Sequence, residues 1–136
     1  MEQNNSEKKK SILLLHGYTQ NSDVFEKRMK IFIKSLSKDL SEYQVLIPNA
    51  PHLIDPLDNE KEEAEKKRAW LYLNLNEFEE KSEVEFKGFK ESLNMITEIV
   101  EKNKVEVIFG FSQGSLLATF LSIMISSNIE YKKKFN

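Results

Sequence analysis

The amino-acid sequence predicts an α/β fold built on a parallel β-sheet. Three short apolar runs, typical of strands buried on both faces, alternate with segments whose apolar residues recur at helical spacing. A serine also stands between two glycines where the last of these runs meets an apolar helical segment, within Val107 to Phe120. The order strand, helix, strand, helix, strand, helix favours a parallel sheet covered by helices.

The first part of the chain contains one strand-helix-strand unit. A polar tail, residues 1–10, precedes the first apolar run, Ser11 to Leu15. We predict that Asn21 or Ser22 caps a helix with apolar residues at three-and-four spacing. Tyr43 to Ile47 then forms the second strand. Such a unit has a right-handed crossover in nearly all proteins, so the helix is expected to pack on the sheet.

The segment from Asp58 to Arg68 is dominated by charged residues. Glu62 with Lys66, and Glu63 with Lys67, have the order that stabilises a helix at i,i+4 spacing. A solvated helical turn and a disordered segment are both compatible with this composition. No function is assigned to the segment.

The second part of the chain is expected to contain two helices and the third strand. Ser82 and Glu85 form a capping box, which predicts that a long helix begins there and runs through Phe86, Phe89, Leu93, Ile96 and Val100. Val105 to Phe109 is the third strand, and a helix follows from about Ser115 to Ser126.

Composition excludes several classes of protein. The 136 residues fit one domain, and 20 Lys and Arg are interspersed with 22 Asp and Glu, so no basic face indicates nucleic acid. The absence of Cys excludes disulfides, thiolate zinc sites and a cysteine nucleophile. The tail has no apolar signal region, and Leu116 to Ile125 is shorter than the roughly 20 residues that span a bilayer. We therefore expect a cytoplasmic protein without a membrane span.

The motif Gly110-x-Ser112-x-Gly114 matches a nucleophile elbow, a tight strand-to-helix turn that exposes a serine hydroxyl at the edge of the sheet. Side chains at the two glycine positions would collide with neighbouring backbone in so tight a turn. The alternative is an ordinary turn in which Ser112 merely caps the helix. The apolar strand before the motif and the apolar helix after it favour the elbow and make Ser112 the candidate nucleophile.

A second turn is expected at the same edge of the sheet. Gly17 follows the first strand and allows the backbone N–H of Tyr18 to face the elbow, while the N–H of Gln113 is the second candidate donor of an oxyanion hole. His16 precedes this turn, and we expect it to brace the turn by hydrogen bonding rather than to transfer protons.

His52 and Trp70 are the remaining candidates. We interpret His52 as a structural loop residue, and the two histidines form no recognisable metal site. Trp70 lies in the apolar stretch Ala69 to Leu73, which is ambiguous between a strand and a pocket wall. Its side chain is expected either to line a substrate pocket or to fill the core, and the sequence favours neither alternative.

Together, five stretches resemble the FSH family of serine hydrolases, which are small α/β-hydrolases. They are Leu13 to Asn21, Phe25 to Lys27, Asn49 to His52, Arg68 to Trp70, and Gly110 to Gly114. The acyl-protein thioesterases and carboxylesterases share the last stretch and a similar Ala-Pro turn. The His-Gly-Tyr-Thr-Gln-Asn sequence, followed closely by Phe, favours FSH over these enzymes.

The resemblance implies an α/β-hydrolase-type fold with three layers, hydrolysis of a small-molecule carboxylic (acyl) ester, and no metal or organic cofactor. It makes Ser112 the nucleophile and makes Tyr18 and Gln113 the oxyanion donors. In this fold the acid and the histidine follow the serine along the chain. After Ser112 the sequence offers one carboxylate, Glu130, and no histidine.

Residues 11–136 are therefore interpreted as the N-terminal portion of an FSH-type domain, truncated at its C-terminal side and with an incomplete triad. Two alternatives are a non-catalytic binding domain derived from a hydrolase and a half-enzyme completed by another polypeptide. Unless the missing part is supplied, the edge of the Val105 to Phe109 strand is expected to be unpaired, and such an edge favours self-association.

Overall fold

The structure is a computed structural model that describes residues 9–73 and 86–127. The strands of this part are β1 (Lys10–Leu15), β2 (Tyr43–Leu46), β3 (His52–Leu53), β4 (Arg68–Ala69), β5 (Tyr72–Leu73), β6 (Phe86–Lys87) and β7 (Lys104–Gly110). Its α-helices are α1 (Ser22–Arg28), α2 (Lys30–Asp39), α3 (Phe89–Lys102) and α4 (Gln113–Ser126).

The three longest strands form one parallel sheet in the order β2-β1-β7. Lys10 lies opposite Tyr43 on one side and Lys104 on the other, and the register with β7 shifts by one residue between Ser11 and Ile12. A polar row reinforces this end of the sheet, where the Tyr43 hydroxyl donates to the Glu106 carboxylate at 2.6 Å and Lys10 Nζ lies 3.7 Å from the same carboxylate. The predicted parallel strands are confirmed.

Helices cover both faces of this sheet, so the predicted α/β class and its layered form are confirmed. Alternate side chains of β1 point to opposite faces of the sheet, as expected for a strand. Leu13 and Leu15 pack in a core with residues of α3 and α4, while Ile12 and Leu14 pack with Phe25 of α1. Burying each such side chain stabilises the fold by about 1.5–3 kcal/mol relative to leaving it in water.

The predicted first helix is present but is divided into two. Asn21 is its N-cap, and its side-chain oxygen accepts a hydrogen bond from the N–H of Val24 at 2.9 Å. Met29 ends α1 and begins α2. The capping residue was therefore predicted correctly, and the break at Met29 was not.

The predicted long helix is present from Phe89 onward, but the prediction that it already includes Phe86 is wrong. Phe86–Lys87 is strand β6, which pairs with β5, and α3 begins at Phe89. Gly88 precedes α3 in the left-handed conformation with φ of 86°, and the His52 ring leaves no room there for a side chain. A left-handed glycine interrupts a helix, which explains the later start. The capping box at Ser82 and Glu85 lies outside the described residues.

Residues 58–68, here called the charged segment, form an irregular but well-anchored loop that contains the end of a 3₁₀ turn at Pro56–Glu60 and a second turn at Glu63–Glu65. The Asn21 amide donates to the carbonyls of Ala64 and Lys66, both at 3.0 Å. Neither helical pair suggested by the sequence defines this loop, because Glu63 instead contacts Lys66 and Arg68 at 2.5 and 2.9 Å.

The outer side of β7 and α4 forms a second distinctive surface, here called the open face. In the described part of the chain β7 pairs with β1 alone. Val107 of β7 is 44% exposed and Ile123 of α4 is 61% exposed. An open groove of about 670 Å³ on this side is lined by residues of both the strand and the helix. The expected unpaired edge is therefore present among these residues. No helix within residues 9–73 or 86–127 has the length and apolar character to cross a membrane.

Candidate active site

Ser112 lies where β7 ends and α4 begins, and its backbone is in an unusual conformation. Its φ of 54° and ψ of −118° are rare for a residue with a side chain. The side chain is exposed and makes no capping hydrogen bond to α4. The geometry therefore favours the elbow over the alternative in which Ser112 is a simple helix cap.

The two elbow glycines are required by close backbone contacts. A Cβ atom at Gly110 would overlap the carbonyl of Gly114, and one at Gly114 would overlap the carbonyl of Leu15. The N–H of Phe111 donates to the same Leu15 carbonyl at 3.0 Å, which extends the pairing with β1 to the elbow. The turn is therefore held against the end of the central strand.

The turn after β1 lies directly beside the elbow. A Cβ atom at Gly17 would lie 3.3 Å from Cβ of Ser112. The side-chain oxygen of Gln20 accepts the Gly17 N–H at 2.8 Å, and the Thr19 N–H donates to the Arg68 carbonyl at 3.0 Å. Thr19 also has a positive φ of 68°. Gln20 and Thr19 were not identified from the sequence, because nothing in their spacing indicates these contacts.

Two backbone N–H groups at this site have no acceptor in the described part of the chain. One belongs to Tyr18, next to Gly17, and the other belongs to Gln113, next to Ser112. Both therefore remain available to a ligand oxygen. That these two groups form an oxyanion hole stays a prediction.

The side chain of Gln113 holds the elbow to the chain that follows β4. Its Oε1 accepts from the N–H of Trp70 at 2.7 Å and from the N–H of Leu71 at 3.3 Å. Its Nε2 donates to the Leu71 carbonyl at 2.8 Å. The sequence indicated a role for the Gln113 backbone only, so this side-chain clamp was missed.

His16 is completely buried and has both ring nitrogens engaged. Nε2 accepts the N–H of Ala50 at 2.9 Å, so the proton resides on Nδ1, which donates to the Gly17 carbonyl at 2.8 Å. Burial lowers the pKa of His16 below 6.5, and the nearby Arg68 charge contributes to the same effect. The bracing role expected for His16 agrees with these contacts.

His52 is likewise engaged away from the elbow. Its Nε2 contacts the Gly88 carbonyl at 2.8 Å, and its ring packs on Tyr72. Neither histidine hydrogen-bonds to Ser112 in the described residues. Across the same ranges, no three His, Asp or Glu side chains come together where they could hold a metal ion.

Trp70 lies in the core. It is 0% exposed, its indole N–H donates to the His16 carbonyl at 2.7 Å, and its ring lies 5.1 Å from that of His16. The structure thus favours the core alternative for Trp70 over the pocket alternative. Through its contacts with His16, Trp70 supports the turn after β1 from the core side.

Comparisons with known proteins show the family to which the chain belongs. A family described as "Serine hydrolase (FSH1)" matches residues 4–135. An esterase of Aedes aegypti is 28% identical over 127 residues, covering 85% of this chain and 42% of its own length. An esterase of Anopheles gambiae is 30% identical over 125 residues, covering 85% of this chain and 43% of its own. "Family of serine hydrolases 3" of Saccharomyces cerevisiae is 30% identical over 132 residues, covering 85% and 47%. The chain therefore spans less than half the length of these relatives.

Proposed function

The chain belongs to the FSH1 family of serine hydrolases, and on that premise we propose that it provides the nucleophile and oxyanion hole for hydrolysis of a carboxylic ester. The observation that carries the proposal is the strained, exposed conformation of Ser112. Strained backbone of this kind persists where surrounding structure imposes it, and it is concentrated at active sites. The two curated mosquito relatives are esterases by name, which supports an ester as the substrate.

In this proposal Oγ of Ser112 attacks the ester carbonyl and forms a tetrahedral intermediate with a negatively charged oxygen. The N–H groups of Tyr18 and Gln113 donate to that oxygen, and one such donor is typically worth about 3 kcal/mol in the transition state. Collapse of the intermediate breaks the bond to the alcohol, which leaves with a proton. Water then hydrolyses the acyl-serine and releases the carboxylic acid.

The proton of Ser112 needs an acceptor, and neither histidine in the sequence provides one in this geometry. The proposal therefore assigns the general base and its acidic partner to residues outside this chain. Loss of triad members lowers turnover by about 10⁴- to 10⁶-fold in serine hydrolases. We accordingly expect this chain alone to react slowly.

Among the described residues neither histidine hydrogen-bonds to Ser112, which also supports a second candidate function, a non-catalytic domain that binds esters without cleaving them. An acyl-protein thioesterase-type activity is less well supported, because the family match is to FSH1. The two main candidates differ in whether Ser112 becomes acylated.

Acylation of Ser112 can be measured with the purified chain and excess p-nitrophenyl acetate. We expect slow release of p-nitrophenol and a stoichiometric acetyl adduct on the peptide containing Ser112, detected by mass spectrometry. Ser112→Ala should abolish the adduct. Ser126→Ala, on the far end of α4, is the matched control and should retain it.

Absence of an adduct on Ser112 after prolonged reaction would contradict the proposed function and favour the binding domain. Rapid turnover abolished by Ser112→Ala would contradict the assignment of the base to another polypeptide. It would identify His16, His52 or another group of this chain as the proton acceptor.

We also propose that the open face mediates self-association. The exposed side chains of β7 and α4 lie beside an unpaired strand edge, and that combination favours pairing with a second copy of the chain.

A further inference from the structure

Arg68, the last residue of the charged segment, makes hydrogen bonds on two sides of the turn after β1. Its backbone pairs with the turn directly, because its carbonyl accepts the Thr19 N–H and its N–H donates to the Gln20 carbonyl, both at 3.0 Å. Its side chain is only 15% exposed. In that side chain Nη1 donates to the Ala50 carbonyl at 3.0 Å and Nη2 donates to the Glu63 carboxylate at 2.9 Å.

The side chain of Arg68 also reaches the turn through a chain of hydrogen bonds. It holds the carbonyl of Ala50, and the N–H of Ala50 donates to Nε2 of His16 at 2.9 Å. Nδ1 of His16 then donates to the Gly17 carbonyl at 2.8 Å. Hydrogen bonds in such a buried chain strengthen one another. Loss of the guanidinium is therefore expected to loosen the hold on the Gly17 carbonyl.

These two routes end at the two peptide groups that flank Tyr18. A peptide group is planar and trans, so its carbonyl and its N–H point in opposite directions. The bond from His16 holds the Gly17 carbonyl and thereby fixes the direction of the Tyr18 N–H, which belongs to the same peptide group. The bond to Arg68 holds the N–H of Thr19 in the next peptide group. The backbone of Tyr18 is thus constrained on both sides.

The backbone of Thr19 shows that this conformation is imposed on the turn by its surroundings. Its φ of 68° lies in the left-handed region, which is unfavourable for a β-branched residue. Such strain persists only where neighbouring structure overdetermines the backbone, and Thr19 is bonded to Arg68. A turn released from Arg68 is expected to relax and to change the direction of the Tyr18 N–H.

We propose that Arg68 is a positioning residue that aims the Tyr18 N–H at the carbonyl oxygen of the substrate, and that this is a role of the charged segment. The assignment rests on the proposed function, in which that N–H stabilises the negatively charged oxygen of the tetrahedral intermediate. Arg68 acts through the turn and not on the substrate itself. An oxyanion donor is effective at about 2.7–3.1 Å from the oxygen, so a small displacement slows acylation without weakening ester binding.

Glu63 gives the rest of the charged segment a part in this arrangement. Its side chain is 61% exposed, so its ion pair with Arg68 contributes little to stability by itself. The pair instead orients the planar guanidinium, whose other arm holds Ala50. Loss of Glu63 should therefore displace the turn less than loss of Arg68 does.

The first test measures the mobility of the Tyr18 backbone by NMR relaxation in the full chain, and it needs no reaction at Ser112. In the unmodified chain we expect a rigid Tyr18, with an order parameter of about 0.85. Arg68→Met keeps the apolar stem and removes both side-chain bonds. Its order parameter at Tyr18 should fall to roughly 0.6–0.7, while the residues of β1 change little.

Two further variants separate positioning from charge. Arg68→Lys retains the charge but lacks the planar fork that reaches both acceptors, so it should restore part of the rigidity at Tyr18. Lys67→Met is the matched control, because it removes the same charge from the adjacent, exposed residue. It should leave Tyr18 as rigid as in the unmodified chain.

The second test compares acylation of Ser112 by p-nitrophenyl acetate and by the analogue in which sulfur replaces the carbonyl oxygen. Donors placed for an oxyanion stabilise oxygen better than sulfur, which is larger and a weaker acceptor. Arg68→Met should lower the acylation rate at saturating oxygen ester by about 10- to 100-fold and should reduce the preference for oxygen. Glu63→Ala should have a smaller effect. A general loss of folded protein would lower both rates equally.

Three results would overturn the proposal. They are an unchanged order parameter of Tyr18 in Arg68→Met, slower acylation of that variant with an unchanged preference for oxygen, and an effect of Lys67→Met as large as that of Arg68→Met. Absence of any acylation at Ser112 would count against the proposed function alone, because the NMR measurement would still show whether Arg68 positions Tyr18. The two proposals therefore fail in distinguishable ways.

Discussion

The charged segment and the open face reverse the usual relation between polarity and burial. The charged segment, residues 58–68, is anchored to the domain, and Asp58 within it is only 1% exposed. On the open face, by contrast, Val107 of β7 and Ile123 of the apolar helix α4 are 44% and 61% exposed. Polarity along the sequence therefore does not decide which of these regions faces water.

The difference lies in the partners available to each region. Asp58 is buried because its carboxylate accepts the Lys67 N–H at 3.0 Å and contacts Lys61 at 2.7 Å, and a buried charge is tolerated when it is paired in this way. Val107 and Ile123 on the open face are instead exposed, although their apolar chemistry favours a partner. The Asp58 carboxylate of the charged segment is therefore paired, whereas apolar side chains of the open face remain in contact with water.

The largest expected effect on the free energy of unfolding comes from removing the anchor of the charged segment. Asn21→Ala removes the cap of α1 and two bonds to the segment, so we expect a loss of about 3 kcal/mol in urea unfolding. Trypsin cleavage after Lys61, Lys66 and Lys67 should become faster than in the unmodified chain.

Asn21→Ser is the matched variant. The serine hydroxyl can still cap α1, but it cannot reach the charged segment. The free energy of unfolding should therefore be about 1 kcal/mol higher than in Asn21→Ala, while trypsin cleavage should remain faster than in the unmodified chain. Unchanged stability and cleavage in Asn21→Ala would show that the segment is anchored by other contacts.

A smaller effect is expected from pH, and it concerns His16, the buried group beside the charged segment. Burial lowers its pKa in the folded state, so below pH 6.5 the unfolded chain binds the proton more readily. This contribution to stability is complete above pH 6.5 and is lost as the pH falls, with a slope of at most about 1.4 kcal/mol per pH unit.

Urea unfolding between pH 7.5 and 5 measures this slope. In His16→Gln the free energy of unfolding should depend less steeply on pH over that range, whatever the absolute stability of the variant. Equal slopes in the two proteins would exclude His16 as the source of the acid sensitivity.

The smallest effect on stability, and the most direct test of the open face, is expected from Ile123→Lys. Ile123 is 61% exposed, so the free energy of unfolding should change by no more than about 0.5 kcal/mol. Sedimentation velocity should nevertheless show fewer oligomers, because a lysine opposes association at this edge.

Ile31→Lys on α2 is the control, since Ile31 is 84% exposed and does not line the groove of the open face. It should leave the oligomer distribution unchanged. A compact monomer for the unmodified chain, with one cooperative melting transition, would contradict self-association through this surface.

The parts of the fold that the sequence predicted are those set by local chemistry. The apolar run before His16, the asparagine at the start of α1 and the glycines around Ser112 each have few alternative structures. Their positions at one edge of the sheet followed from the parallel arrangement.

The parts that were missed depend on contacts between distant residues. The start of α3 is set by Gly88 against the His52 ring, and the anchoring of the charged segment depends on Asn21, over 40 residues earlier. Gln113 binding to Leu71 joins residues 42 apart. No local sequence pattern predicts such pairs, because each of these residues is also common in the turn or helix in which it lies.

The central position of β1 has a consequence for the kinetics of folding. Its neighbours in the sheet come from distant parts of the chain, and the polar row joins Tyr43 to Glu106 across a separation of 63 residues. Closing such long loops costs entropy before any contact stabilises them, and proteins dominated by non-local pairing fold in milliseconds to seconds. During biosynthesis, β1 emerges early and cannot complete its pairing until β7 has followed it, so this most apolar strand is the part of the chain with the longest exposure before the native structure forms.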